Sequence, residues 1–226
     1  MNLSKIFGHT VDVDLLPEVP VVLDAGSRDF SFAKELRLHR PHAVVFAMDP
    51  DPSIAVNENF DTVELFDYLA APDIPLIRLA LVGDNRNTCK YAAMENPEGR
   101  FLYEGSPDPY HYNYGLRVTD PVVDVPCINI STLMSMDDVE VPFWDLVKLD
   151  IEGSEFQVLE NWPGPIAHQI SVEFHDWWDQ NRWSAAYYER LLAGPLKDYK
   201  FVQHELQGIG GNTREMGHWD SLLRLR

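Results

Sequence analysis

Short apolar runs that alternate with segments of helical spacing constrain the fold of this chain more than any other feature. Residues 19–24 (VPVVLD) and 43–49 (AVVFAMD) are rich in β-branched and apolar side chains, and each run ends in an acid. Residues 30–38 (FSFAKELRL), between them, carry apolar side chains at helical spacing. A helix between two buried strands is the crossover that parallel strands need. After a polar, irregular start, the sequence therefore predicts a β–α–β unit.

The same alternation continues to the end of the chain. The further predicted strands are 74–82, 126–130, 145–150, 170–174, 200–206 and 221–226, and the further predicted helices are part of 52–69, 131–136, 155–161 and 183–192. The last two strands have no helix between them, so we expect them to pair antiparallel at the edge of the sheet. The pattern predicts an α/β fold, a doubly wound sheet of about seven strands that is mostly parallel with an antiparallel C-terminal strand.

Length and composition bound the remaining possibilities. A chain of 226 residues fits a single domain over residues 1–226. Residues 83–120 lack a clear period and are rich in Gly, Pro, Asn and Tyr, which predicts an irregular insertion with short strands near 89–94. The formal net charge of -18 opposes binding to phosphate backbones, so we expect no nucleic-acid partner.

The apolar runs are far shorter than the roughly 20 residues of a membrane helix, and we expect no membrane partner. The first ten residues do not resemble a secretory signal, which favours the cytoplasm.

The loop after the first strand is the first candidate binding site, because ligands of open α/β sheets bind beyond the carboxyl ends of the strands. Asp24, Gly26, Ser27 and Arg28 follow that strand, and the loop has one glycine rather than the three of a dinucleotide fingerprint. S-adenosylmethionine has no pyrophosphate but carries an ammonium and a sulfonium, which suits an acid such as Asp24. Arg28 is a candidate for the cofactor carboxylate. The alternative is a plain turn with Asp24 as a helix cap.

The end of the second strand carries the next candidate. Asp49 lies about 25 residues beyond Asp24, in the range where an acid accepts hydrogen bonds from ribose hydroxyls. Pro50 and Pro52 stiffen the turn that holds the carboxylate. The pairing of Asp49 with a loop of one glycine favours S-adenosylmethionine over a dinucleotide.

Acids and a histidine follow the strands at 145–150 and 170–174. Asp150 and Glu152 are candidates for orienting an acceptor hydroxyl or removing its proton, and His175 is a second candidate base. Asp150, Glu173 and His175 together could instead hold Mg²⁺ or Ca²⁺, since oxygen ligands suit these ions. A histidine that is merely hydrogen-bonded is the plainer alternative.

Five segments occur in the order of a known family. VVLDAGSRDFS, VVFAMDPDP, INISTL, DLVKLDIEGSEFQVLENW and the terminal GHWDSLL resemble the FkbM family of S-adenosylmethionine-dependent methyltransferases over residues 19–226. The resemblance implies a Rossmann-like class I methyltransferase fold, S-adenosylmethionine as the cofactor and an O-methyl acceptor, often a sugar or other natural product. Phe30 stands where such proteins commonly have a glycine.

These observations predict methyl transfer from S-adenosylmethionine to the hydroxyl of a small-molecule acceptor. Asp24, Gly26, Ser27, Arg28, Asp49 and Pro50 are the predicted cofactor-binding residues, and Asp150, Glu152 and His175 are the predicted catalytic residues. Two alternatives remain open at this point. One is a non-catalytic module that binds a ligand or partner on the same fold, and the other is an NAD-dependent oxidoreductase, against which the missing glycines argue.

Overall fold

The computed structural model describes residues 2–51, 66–67, 74, 76–92, 101–103, 122–175, 185–208 and 217–226. The strands are β1 (Leu3–Ile6), β2 (His9–Asp12), β3 (Val21–Ala25), β4 (Val44–Met48), β5 (Phe66–Asp67), β6 (Leu76–Ile77), β7 (Ala80–Val82), β8 (Thr88–Ala92), β9 (Phe101–Tyr103), β10 (Val122–Asn129), β11 (Trp144–Leu149), β12 (Ala167–His175), β13 (Tyr199–Gly208) and β14 (Gly217–Leu225). The helices are α1 (Ser31–His39), α2 (Ile130–Met134), α3 (Glu155–Glu160) and α4 (Ala185–Ala193), with a 3-10 turn at Val13–Leu15.

The main sheet has the order β13-β14-β12-β11-β3-β4-β6-β5. Neighbouring strands from β12 through β6 are parallel, whereas β14 is antiparallel to both β12 and β13. The two-residue strand β5 adds an antiparallel edge. The predicted fold class, a mostly parallel doubly wound sheet with an antiparallel C-terminal strand, is confirmed.

Alternate residues of the central strands supply the two hydrophobic cores. Val22 and Leu146 belong to the core on one face, and Leu23 and Val147 belong to the core on the other. Successive side chains of a strand point to opposite faces, so strands buried on both sides are apolar along their whole length. This explains why residues 19–24 and 145–150 are recognisable as strands.

The chain reverses its direction of winding at β3. From β3 it proceeds outward to β4 and β6, and later returns to the other side of β3 to form β11 and β12. The carboxyl ends of β3, β4 and β11 therefore border a crevice. Crevices of this kind are the ligand sites of doubly wound sheets.

The N-terminal residues differ from the expected irregular start, because β1 and β2 form an antiparallel hairpin. Its turn places Phe7 at φ 44° and Gly8 at φ 87°. A turn with two positive φ angles matches the twist of a hairpin, but it is usually signalled by Asn-Gly or Asp-Gly rather than Phe-Gly. The hairpin packs against β12 and β14.

A second, four-stranded sheet has the order β7-β10-β8-β9. The strand predicted at 74–82 is divided between the sheets, since β6 lies in the main sheet and β7 in the second. The expected short strand near 89–94 is β8, and the predicted strand at 126–130 is the end of the longer β10. Residues 83–120 are therefore not simply irregular in their described part. The sequence did not reveal this sheet because its strands pair across long intervals of the chain.

The predicted helices are confirmed at α1, α2, α3 and α4, with small differences in their ends. The predicted helix within 52–69 lies outside the described residues except for 66–67, which form β5. No helix in the described part of the chain is both long and apolar enough to cross a membrane.

Replacement of Gln169 by Met tests the anchoring of the hairpin. Gln169 is fully buried, accepts from the Asp12 backbone N–H at 2.9 Å and donates to the Asp12 carbonyl at 3.1 Å. Gln169→Met leaves both backbone groups without these partners, so we expect the free energy of unfolding in urea to fall by about 2 to 4 kcal/mol. Gln157→Met is the control, because Gln157 makes two long hydrogen bonds of 3.4 Å, and it should lose less than about 1 kcal/mol. Equal losses in the two variants would contradict this account.

Candidate active site

An open cleft with about 900 Å³ of empty space lies at the carboxyl ends of β3, β4 and β11. That space includes solvent at the open mouth of the cleft. Its walls come from four regions: the hairpin turn, the loops after β3 and β4, the second sheet, and the turn after β11. The lining residues are Phe7, Gly26, Ser27, Arg28, Asp29, Phe32, Asp49, Pro50, Asp51, Ala80, Leu81, Tyr91, Lys148, Asp150, Ile151 and Glu152.

The glycine of the first loop is required by its contacts. Gly26 has φ 79°, and a Cβ atom built on it would lie 1.7 Å from the backbone oxygen of Asp150. The backbone N–H groups of Gly26 and Ser27 both donate to the carbonyl of Met48, at 2.8 and 3.1 Å. The loop therefore passes tightly between the ends of β4 and β11, and no side chain fits at position 26.

A buried lysine links this loop to the neighbouring strands. The ammonium of Lys148 lies 3.2 Å from Asp24 Oδ1 and 3.3 Å from Asp150 Oδ2, and it donates to the Gly26 carbonyl at 2.8 Å. Burial alone would lower the pKa of Lys148, but the two carboxylates outweigh it and raise that pKa. The sequence reasoning missed Lys148, although a lysine inside the apolar run DLVKL is a signal, because a buried charge needs partners.

Asp24 lies behind the wall of the cleft rather than on it. Its side chain is fully buried, and besides Lys148 it accepts a hydrogen bond from Ser27 Oγ at 2.9 Å. Ser27, Gly26 and Arg28 line the cleft in front of it. The geometry assigns Asp24 to the support of the loop, and a direct contact of Asp24 with a cofactor ammonium stays a prediction.

Asp49 stands at the end of β4 with only 8% of its surface exposed. Its carboxylate accepts from the backbone N–H groups of Arg28 and Asp51, both at 2.9 Å. Burial is the main cause that raises the pKa of Asp49 to about 6, and the nearby Asp51 adds to the rise. Asp49 and Pro50 both line the cleft, at the position expected for a ribose-binding acid.

Phe30 does not narrow the cleft. Its backbone has φ 64°, a left-handed conformation that suits a glycine, and its side chain is buried in the core on the α1 face of the sheet. A glycine would adopt this backbone conformation without strain. The phenylalanine side chain points into the core and is not among the lining residues of the cleft.

His175 is held by a buried carboxylate. Its Nδ1 lies 3.0 Å from Glu155 Oε1, and its Nε2 lies 3.6 Å from Glu152 Oε2 and 3.7 Å from Asp150 Oδ1. Burial alone would lower the pKa of His175, but Glu152, Glu155 and Asp150 hold it well above its ordinary value. A raised pKa favours the protonated ring, which disfavours His175 as a proton acceptor. Glu155, the first residue of α3, also accepts from the backbone N–H of Ile151 at 2.8 Å.

Asp150 is the acid that faces both the cleft and the buried cations. Burial alone would raise its pKa, but Lys148, His9 and His175 outweigh burial and lower the pKa below its ordinary value. His9, on β2, is buried with its Nε2 3.4 Å from Asp150 Oδ2 and 3.9 Å from Glu173 Oε2. The sequence reasoning missed His9, because nothing local marks an N-terminal histidine as a neighbour of β11.

Asp150, Glu173 and His175, which the sequence analysis considered as a possible metal site, are not brought together as a single group. Within the described residues, Asp150, Glu152 and His175 form one group, and His9, Asp150 and Glu173 form another. The reason is that the two oxygens of Asp150 face opposite sides, with Oδ1 toward His175 and Oδ2 toward His9. Glu173 therefore shares a group with His9 rather than with His175.

The cleft thus collects most of the predicted residues. Gly26, Ser27, Arg28, Asp49, Pro50, Asp150 and Glu152 line it, while Asp24 and His175 stand behind its walls. The cleft can receive a cationic ligand that contains a ribose. The Gly26 loop offers its backbone, Asp49 offers a buried carboxylate, and Asp150 offers a negative charge. An acceptor would lie beside Asp150 and Glu152.

Replacement of Gly26 by Ala tests whether the loop needs its glycine. Gly26→Ala combines a left-handed residue with a Cβ on a backbone oxygen, so we expect the free energy of unfolding to fall by about 2 to 5 kcal/mol. Gly8 is the matched control, because it has φ 87° and nothing within 4 Å of its added Cβ. Gly8→Ala should cost only the strain of about 1 to 2 kcal/mol. A Gly26→Ala variant as stable as Gly8→Ala would refute the close approach.

Comparison with known proteins identifies the protein family of this chain. The methyltransferase FkbM domain matches residues 22–224. A search of curated proteins returns no match.

Solved structures give only distant similarities. The FkbM methyltransferase from Methylobacillus flagellatus KT is 15% identical with a TM-score of 0.47, over 92% of this chain and 44% of its own. M. capricolum TrmK, solved with S-adenosylhomocysteine, is 9% identical with a TM-score of 0.43, over 95% of this chain and 66% of its own. The 16S rRNA (adenine(1408)-N(1))-methyltransferase from Catenulisporales acidiphilia is 12% identical with a TM-score of 0.41, over 96% and 92%. The chain thus spans less than two thirds of the first two proteins, and with such TM-scores these similarities carry no weight for function.

Proposed function

Because the chain belongs to the FkbM methyltransferase family, whose domain matches residues 22–224, we propose that it transfers a methyl group from S-adenosylmethionine to a hydroxyl oxygen. The proposed acceptor is a small molecule, such as a sugar or another natural product. The observation that carries the proposal is the joining of the Gly26 loop, Asp49 and Asp150 in one cleft.

The residues of the cleft fit S-adenosylmethionine by their chemistry. The Gly26 loop packs against the backbone of Asp150, where no side chain fits, and Gly26 itself lines the cleft. Asp49 offers a buried carboxylate to ribose hydroxyls, and Arg28 lies at the rim as a partner for the carboxylate of an amino acid. The negative charge of Asp150 favours a sulfonium nearby. A dinucleotide lacks this complementarity, since its pyrophosphate would meet acids at both strand ends.

The cofactor, when bound, supplies a methyl group on a positively charged sulfur. The protein's part is mainly to position an acceptor oxygen in line with that carbon. A bond forms between the oxygen and the methyl carbon while the bond from carbon to sulfur breaks, which leaves a neutral thioether. The hydroxyl proton needs an acceptor, and the carboxylate of Asp150, which lines the cleft after β11, is the first candidate. Glu152 is the second candidate.

Two further expectations accompany the proposal. A small acceptor, with neither nucleic acid nor a membrane as partner, agrees with the net charge of -18. The cytoplasm remains the compartment that we expect from the sequence.

Titration with S-adenosylhomocysteine by isothermal calorimetry is the direct test of the cofactor. We expect micromolar binding by the wild-type protein and at least about ten-fold weaker binding by Asp49→Asn, which keeps the shape of the side chain and removes its charge. Asp138→Asn, at an exposed acid remote from the cleft, is the matched control and should bind as the wild type does.

The same titration separates the alternatives. Binding of NADH instead of S-adenosylhomocysteine would overturn the proposal in favour of an oxidoreductase. Binding without methylation of any hydroxylated acceptor would favour the non-catalytic module. Methylation should be followed by mass spectrometry of an acceptor library, where a mass gain of one methyl group identifies the product.

The pH dependence of binding gives an independent check on Asp49. Its raised pKa of about 6 means that the carboxyl is protonated in acid and ionised above that value. Ribose hydroxyls donate to the ionised form, so S-adenosylhomocysteine affinity should weaken as the pH falls through about 6. Asp49→Asn should remove this dependence. A wild-type affinity that stays constant from pH 7 to about 5 would contradict the assignment.

A further inference from the structure

The group formed by Asp150, Glu152 and His175 has the composition of a metal site beside the cleft. These three side chains each offer one ligand atom, and all three atoms lie within 4.8 Å of one another. Asp150 and Glu152 line the cleft, whereas His175 is 2% exposed and stands behind them. The group thus joins a fixed nitrogen ligand to two acids that a solute in the cleft can reach.

The histidine is oriented as a ligand. Its Nδ1 lies 3.0 Å from the fully buried carboxylate of Glu155, which directs Nε2 toward the two acids. Metal-binding histidines almost always use the second ring nitrogen in this way, with a carboxylate or carbonyl that fixes the ring. Glu155 is itself fixed, because it accepts from the backbone N–H groups of Ile151 and Gly153.

The distances leave a gap that suits an ion. His175 Nε2 lies 3.6 Å from Glu152 Oε2 and 3.7 Å from Asp150 Oδ1, beyond the length of a hydrogen bond. Two ligand atoms about 2.1 Å from one ion lie roughly 3.0 to 3.5 Å apart at octahedral and tetrahedral angles. A movement of a few tenths of an ångström would therefore bring His175 Nε2 and either acid to the spacing of two ligands on one ion, and all three ligand atoms already lie within 4.8 Å of one another.

The backbone supports the same arrangement. Glu152 has φ 52°, a left-handed conformation that is unfavourable for a residue with a side chain. Glu152 thus adopts an unfavourable backbone conformation in the turn after β11, where both it and Asp150 lie within 3.7 Å of His175 Nε2. Strained residues of this kind are concentrated at functional sites.

The neighbouring group of His9, Asp150 and Glu173 is less suitable. It uses Asp150 Oδ2, which already has the ammonium of Lys148 at 3.3 Å. A divalent cation there would be repelled by the lysine. Asp150 Oδ1 faces the other way, toward His175 Nε2, which also has Glu152 Oε2 at 3.6 Å.

We propose that Asp150, Glu152 and His175 bind a divalent first-row cation of the Mn²⁺ type at the edge of the cleft. One imidazole and two carboxylates suit such an ion better than Ca²⁺, which prefers oxygen ligands alone. Binding at Nε2 displaces the proton of that nitrogen to solvent. The side of the ion toward the cleft stays open for water or for an acceptor hydroxyl oxygen; this last assignment rests on the proposed methyl transfer.

Titration with Mn²⁺, followed by electron paramagnetic resonance, tests the site without any turnover. The free ion gives a six-line spectrum that disappears on binding, so the wild-type protein should remove one equivalent that resists added salt. Glu152→Gln removes one ligand at a partly exposed position and should weaken this binding at least about ten-fold. Glu160→Gln, at an exposed acid of α3, and Glu173→Gln, in the neighbouring group, should both bind as the wild type does. Circular dichroism of each variant verifies that it is folded.

Three results would overturn the proposal: wild-type protein that removes no equivalent of Mn²⁺, binding that Glu152→Gln retains, and binding that Glu173→Gln loses as fully as Glu152→Gln does. S-adenosylhomocysteine affinity, measured separately on the wild-type protein, keeps the two proposals apart. If the protein binds Mn²⁺ but not S-adenosylhomocysteine, only the proposed methyl transfer is refuted. If it binds S-adenosylhomocysteine but not Mn²⁺, only the metal site is refuted.

Discussion

The buried ammonium of Lys148 is the interaction on which the cleft depends. An uncompensated charge in a protein interior costs several kcal/mol. Here the ammonium lies within 3.3 Å of the Asp24 and Asp150 carboxylates and donates to the carbonyl of Gly26. These partners belong to β3, to the loop after it and to the end of β11. Since the loss of any one of them would leave buried charge behind, the loop and the two strand ends are held in one arrangement.

Lys148 also contributes to the difference in pKa between Asp150 and Asp49, the two acids at the strand ends of the cleft. Asp150 lies beside Lys148 and His175, and its pKa is lowered, so it stays ionised. Asp49 is satisfied mainly by backbone N–H groups, and burial raises its pKa to about 6. Two carboxylates in one cleft thus have opposite shifts, which is the usual sign of different tasks. In the proposed function, Asp49 accepts hydrogen bonds from the neutral ribose, whereas the negative charge of Asp150 lies beside the sulfonium and the acceptor hydroxyl.

The sequence predicted the parts of this structure that are local. The apolar strands, buried on both faces, predicted the doubly wound sheet. The acids and the glycine directly after β3, β4 and β11 predicted a binding site at the ends of those strands. Lys148, His9 and the hairpin could not be predicted in the same way, because their roles come from partners far away in the chain. His9 lies 3.4 Å from Asp150 although 141 positions (150 − 9) separate them. The second sheet was missed for the same reason, since β10 pairs with β7 and β8 across a long interval.

The division between local and distant contributions has a consequence for specificity. The cofactor side of the cleft consists of loops that follow strands directly, whereas Phe7, Leu81 and Tyr91 reach the cleft from the hairpin and the second sheet. Side chains of this second set are not fixed by the Lys148 network. Changes in them would reshape the space beside Asp150 and leave the Gly26 loop intact. Folds of this kind host many reactions on one scaffold, because the segments around the cofactor site differ between proteins. We therefore expect the hairpin and the second sheet to differ most between proteins with different acceptors. By this argument we propose that side chains of the hairpin and the second sheet select the acceptor.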